Sequence, residues 1–262
     1  MIIRTVSYAL PSVLHTSIRT VAPTTYFPST RGMRRTPRKR SFGAAPAPAV
    51  SGKLLTARQN PIVTPSLLRW LYKTAVYRPA APIRNRLGIL GIDEEYPSQS
   101  DLTQFMTRYR YAAGGASYNV VQWNGGEYNP NNAALEPTVG IQYAAVINYP
   151  TSLVFYSIGG DADWDHRDRP TAGDMYLVWL NNLLEEQSPP QTISITHSHF
   201  EMSLPFEYAR SLCSLFAQLG VRGVTILASS GNDGVGEGDC INDQGLVQFI
   251  PEFPSTCTCG AL

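Results

Sequence analysis

From about residue 60 onward, short continuous apolar runs alternate with longer segments whose apolar positions recur every three or four residues. The runs are RLGILGI (86–92), YNVVQW (118–123), LVFYSI (153–158), TISIT (192–196) and VTILA (224–228). Between them lie SQSDLTQFMTRYR, a segment opening at AALEPTVGIQYAAVI, GDMYLVWLNNLLEEQ and PFEYARSLCSLFAQLG. Runs of four to seven apolar residues suit strands buried on both faces, and the periodic segments suit amphipathic helices. In the last helix Ala209, Leu212, Cys213, Phe216 and Leu219 share one face, and Gly220 stands where a C-terminal cap is expected. The alternation predicts an α/β fold, a parallel sheet with helices on both faces. In such a sheet, ligands and catalytic groups gather at the carboxyl ends of the strands.

The first 59 residues break this pattern. They are rich in proline and basic residues, with six arginines and lysines in RGMRRTPRKR (31–40), followed by the low-complexity tract GAAPAPAVSGK. Such a composition cannot form a core and reads as a solvated linker. Over the whole chain of 262 residues the net charge is only +1, which argues against a nucleic-acid partner. No run approaches the roughly 18 apolar residues of a membrane span, and the opening MIIRTVSYALPSVLH breaks too early for a signal peptide. The four cysteines, Cys213, Cys240, Cys257 and Cys259, have no metal or redox spacing.

Candidate chemistry lies where the fold prediction places a functional edge. SSGNDGVGEG follows the strand ending at Ala228. Its glycines, Gly231, Gly234, Gly236 and Gly238, match neither phosphate-binding spacing and have no lysine and no strong helix after them. On spacing alone the loop is a tight turn or half of an active site. Glu136 before Pro137 is by itself a helix-start signature, an acid complementing the positive end of the macrodipole. His197 and His199 point the same way from an extended segment, yet no third ligand or partner serine accompanies them, and they read as drift in a rim loop.

Taken together, IVTPSLLRWLY, LGILGIDEEYPSQSDLTQFMTRYR, GIQYA, VFYSIGG, SLCSLFAQLGVRGVTILASSGNDGVGEGDC and FIPEFPSTC resemble the sedolisin family of serine-carboxyl peptidases, especially fungal secreted tripeptidyl peptidases. The likeness runs in order over about residues 60–258, and ALPSVLHTSIRTVAPTTYFPSTR (9–31) looks like the end of the family's prosegment. Residues 1–59 are accordingly expected to be the end of a prosegment plus linker, and 60–262 the N-terminal two-thirds of a peptidase domain.

The resemblance implies a subtilisin-like α/β fold, incomplete at the C-terminus, with a Ser-Glu-Asp catalytic set and an oxyanion-hole aspartate. A carboxylate serves as base for a hydroxyl nucleophile only where the substrate is cleaved in acid. The family's glutamate and aspartate stand four apart on a helix, which puts them on one face. In EPTVGIQY the glutamate is Glu136, and position 140 is glycine. In the oxyanion loop Asn232 stands in the aspartate's place; its amide is also a donor and needs no proton to be one. THSHFE (196–201) replaces the family's substrate-channel run, leaving Ser198 and Glu201 as candidate substrate-binding residues. The family's Gly-Thr-Ser nucleophile motif does not occur in the chain, and its calcium site is expected beyond Leu262, with no cofactor held here. The implied partners are a peptide or unfolded protein substrate and an upstream prosegment, in an extracellular setting. The expectation is a truncated, inactive copy.

Overall fold

The computed structural model describes Pro11 and residues 62–258, leaving out 79, 81–83, 93, 111–114, 160–174, 202–203, 233–244 and 250. The elements follow in the order α1 (Pro65–Leu71), β1 (Arg86–Gly91), α2 (Gln99–Tyr109), β2 (Tyr118–Trp123), α3 (Leu135–Asn148), β3 (Ser152–Ile158) and α4 (Met175–Glu185). After them come β4 (Thr192–Ile195), β5 (His199–Phe200), α5 (Phe206–Val221), β6 (Thr225–Ala228) and β7 (Glu252–Phe253).

All five predicted apolar runs are strands of one parallel sheet, ordered β2-β3-β1-β4-β6. The central strands β1 and β3 are buried almost along their length, the reason they read as continuous apolar text. Alternate residues feed two separate cores. Leu87, Ile89, Leu153 and Phe155 meet Leu102 and Met106 of α2 and Ile141 of α3 on one face. Leu90, Val154, Tyr156 and Ile158 meet Trp179 and Leu183 of α4 and Leu212 and Phe216 of α5 on the other. The α/β class with helices on both faces is therefore as expected.

Two details differ from the sequence reading. Helix α5 runs one residue past Gly220 and closes at Arg222, with Gly223 supplying the left-handed φ of +83°. The cap glycine is thus Gly223. Helix α3 opens at Leu135, so Pro137 is its third residue and not its first. This costs no backbone bond, because the first-turn N–H groups have no intrahelical acceptor.

The short strands β5 and β7 form an antiparallel pair outside the main sheet. A disulfide, Cys213–Cys257, ties the segment just after β7 to the middle of α5 across 44 residues of sequence. It fixes the β5–β7 pair to the scaffold.

Candidate functional site

Every strand of the main sheet is parallel, so all carboxyl ends lie on one edge. Three pieces of the chain are brought there. The first is the start of α3: the Ala134 N–H donates to Tyr96 O at 2.9 Å, and Tyr96 bridges to Ala133 in the loop following β1. Glu136 lies in this first turn, half-buried. The second is the end of β4, where His197, Ser198 and His199 are all buried. The third is the end of β6, held to its neighbour by Ser229, whose N–H donates to Ile195 O and whose Oγ donates to Thr196 O, both at 3.0 Å.

Gly140 is four residues after Glu136 on the same helix face. A Cβ built there would meet only Ile89 Cγ2, at 3.9 Å, an ordinary contact. Packing therefore does not demand glycine, and α3 carries it at a cost of about 1 kcal/mol relative to alanine. Gly140→Ala is expected to recover that amount, read as a rise of roughly 2–4 °C in the thermal midpoint. A fall in the midpoint would show that the position needs glycine.

At the end of β6 the chain turns at Gly231, φ +90°, and Asn232 follows, exposed to solvent. Asp233 and the remaining glycines of the loop lie outside the described residues. Glu201 is exposed just beyond β5, its N–H bonded to Pro251 O. Ser198 turns inward and donates from Oγ to Glu252 Oε2 in β7.

The histidines are not a loose rim loop. His199 is in β5, paired with Phe253, and its ring packs edge-on against Tyr176 and His197, centroids 5.9 and 5.3 Å away. Tyr176 donates from its hydroxyl to His197 O. Burial pushes the His197 pKa down to about 4. The His199 pKa falls to about 3, through burial first and the neighbouring His197 second. Both rings are neutral above that range, and the Nδ1 of His199 is buried without a hydrogen-bond partner among the described residues. Buried away from the rim, with their basicity lowered by that burial, these rings are placed as core side chains and not as bases at the edge. The sequence reading missed this core role and also the contact between Ser198 and Glu252, which forms only when β7 pairs with β5.

Comparison with known proteins gives a consistent picture. No protein-family model matches the chain. A probable tripeptidyl-peptidase SED3 of Arthroderma benhamiae is 31% identical over 267 aligned positions, which cover 97% of this chain and 44% of that protein. Tripeptidyl-peptidase sed4 of Aspergillus fumigatus is 28% identical over 97% of this chain and 44% of its own length. This chain is a homologue of the fungal sedolisins. It spans less than half the length of these relatives. Because the match takes in 97% of the chain, it is too long to be confined to residues 60–262 and runs into the Pro- and Arg-rich N-terminal part. Among solved structures, Pseudomonas sedolisin complexed with two molecules of pseudo-iodotyrostatin has a TM-score of 0.49 and 18% identity, over 75% of this chain and 52% of that one.

Proposed function

We propose that this chain is a sedolisin-type domain that engages peptide or unfolded protein outside the cell and, as it stands, does not hydrolyse it. Homology to tripeptidyl-peptidases supports the peptide ligand. The observation that carries the loss of hydrolysis is Gly140. A carboxylate base for a serine needs its proton held and its orientation set, which a second carboxyl on the same helix face supplies. One turn along α3 from Glu136, position 140 is glycine and carries no carboxyl.

Asn232 supports a retained ability to hold a polarised carbonyl, since an amide donor there is worth about 3 kcal/mol to an oxyanion. The Cys213–Cys257 disulfide supports the extracellular setting, because structural disulfides persist in oxidising compartments. No described helix is long and apolar enough to cross a membrane. The calcium that the family resemblance brings finds no donor set among the described residues, where no three His, Cys, Asp or Glu side chains come together. No role is assigned to a cation.

The test is an assay of the purified chain with a tripeptidyl-aminomethylcoumarin substrate from about pH 3 to 8, spanning carboxylate and histidine titration. The expected result is no turnover above that of Glu136→Ala. Turnover that Glu136→Ala abolishes would show that one carboxylate suffices and that the chain is a working peptidase.

A further inference from the structure

Charge is divided unevenly along the chain. The first 92 residues hold fifteen Lys and Arg and no Asp or Glu, so the other 170 carry six bases and all 20 acids. Within this basic portion, α1 and the turn of residues 72–78 after it are apolar on the outside, where a surface helix is ordinarily polar. Leu67, Trp70 and Leu71, at the i, i+3, i+4 spacing of one helix face, are all exposed, Trp70 by 71%. Tyr72, Val76 and Tyr77 follow, Val76 exposed by 88%. A contiguous apolar patch on a segment of fixed shape marks a contact surface.

The shape is fixed by Arg69. Its Nη2 donates to Thr74 O, Ala75 O and Tyr77 O at 3.2, 2.9 and 3.0 Å, and the Thr74 N–H returns to Arg69 O at 2.7 Å. Helix and turn therefore hold together as one unit, seated on α3 where Tyr143 donates from its hydroxyl to Val63 O. Around this unit the charges are of one sign. Lys73 and Arg78 are exposed among the apolar side chains. Arg110, whose Nη1 donates to Val146 O, lies close enough that Arg69 and Arg78 pull its pKa down, after burial as the larger cause. The stretches that border these residues in sequence, 1–61, 79–83 and 111–114, contain no acid. Like charges kept together favour an anionic partner.

We propose that α1 and the turn of residues 72–78 form a docking face for a phospholipid surface with anionic headgroups. Trp70, Leu71 and Val76 enter the boundary between headgroups and acyl chains, with Lys73 and Arg78 at headgroup level. Trp and Tyr flanked by Lys and Arg is the composition of segments that lie at a membrane surface. Apolar insertion and basic attraction are the two signals that stable peripheral attachment needs. At seven residues, α1 lies on a bilayer and does not span it. Other occupants suit the charge less well. A second copy joined through the same face would set Lys73 and Arg78 against their equivalents, and residues 1–61 of this chain hold ten bases and no acid. The proposal is independent of the peptide reading above and uses none of its residues.

The experiment is flotation of the full chain with vesicles of phosphatidylcholine alone and of phosphatidylcholine with phosphatidylserine, joined to quenching of tryptophan fluorescence by brominated acyl chains. The chain is expected to float with the phosphatidylserine vesicles and to stay behind with phosphatidylcholine alone. Trp70→Ser combined with Leu71→Ser should weaken binding about tenfold or more, the worth of one large apolar side chain taken from water. Lys73→Gln should weaken it about fivefold, the worth of one base near an anionic surface. All three positions are exposed, so an unchanged thermal midpoint is expected and shows the variants folded. Quenching should fall in Trp70→Phe, which separates insertion of α1 from attachment through the arginines of residues 31–40. Absence of flotation overturns the proposal, and so does equal binding to both kinds of vesicle. Flotation that the double serine variant leaves unchanged, or quenching that Trp70→Phe leaves unchanged, overturns it as well. Retention on immobilised polyglutamate without flotation would assign the face to an acidic protein instead. If the serine variant does not fold, the quenching comparison decides.

Discussion

Removing the Cys213–Cys257 disulfide by replacing both cysteines with alanine is expected to destabilise the protein by about 4 kcal/mol, from the loop-closure entropy of a 44-residue separation. At roughly 2–4 °C per kcal/mol for a domain of this size, the thermal midpoint should fall by about 8–16 °C. The loss is not confined to global stability. The bond anchors the segment after β7, so without it Glu252 and Phe253 are held only by their short pairing with β5 and by packing. Hydrogen exchange in β5 and β7 should rise more than in β1 or β3, whose pairings the disulfide does not touch. An unchanged midpoint on reduction, with both thiols then accessible to alkylation, would refute the structural role of this bond.

Acid is expected to weaken the fold through the histidine pair. The folded-state pKa of His197 is lowered from 6.5 to about 4 by burial, so the folded protein binds fewer protons there than the unfolded chain. Stability from this group is fully present above about pH 6.5 and is lost as pH falls toward 4. The shift corresponds to on the order of 3 kcal/mol for His197. His199, depressed in the same direction, adds to the loss at the lower end of the window. Urea midpoints between pH 7 and 4.5 isolate the effect, because most carboxylates remain ionised there. They should decline with falling pH, and His199→Phe, which keeps an aromatic ring beside Tyr176, should flatten the decline. Identical midpoints at both ends of the range would mean that the two rings are not held neutral in the core.

The main sheet was legible in the text because each of its strands is either buried on both faces or packed on one, and burial demands apolar side chains. The same holds for α2, α4 and α5, whose apolar stripes must face it. Glu136 was singled out for two reasons that coincide, the family likeness and the acid-first-turn signature, and α3 bears out the second. The helix boundaries shifted because Gly220 and Pro137 each tolerate more than one position near a helix end. A single glycine or proline marks a neighbourhood and not a residue.

By itself the sequence determined the layer architecture, and it places glycine at position 140 and asparagine at position 232. These depend on local periodicity and on residue identity along a continuous stretch. Only the tertiary structure decided that Cys213 pairs with Cys257, that His197 and His199 are sequestered against Tyr176, and that Glu252 meets Ser198 and Gly231. Each of these joins segments 21 to 54 residues apart, with at least one end in or near a two-residue strand too short to show a period. Such contacts follow from how the chain folds back, which no local pattern encodes.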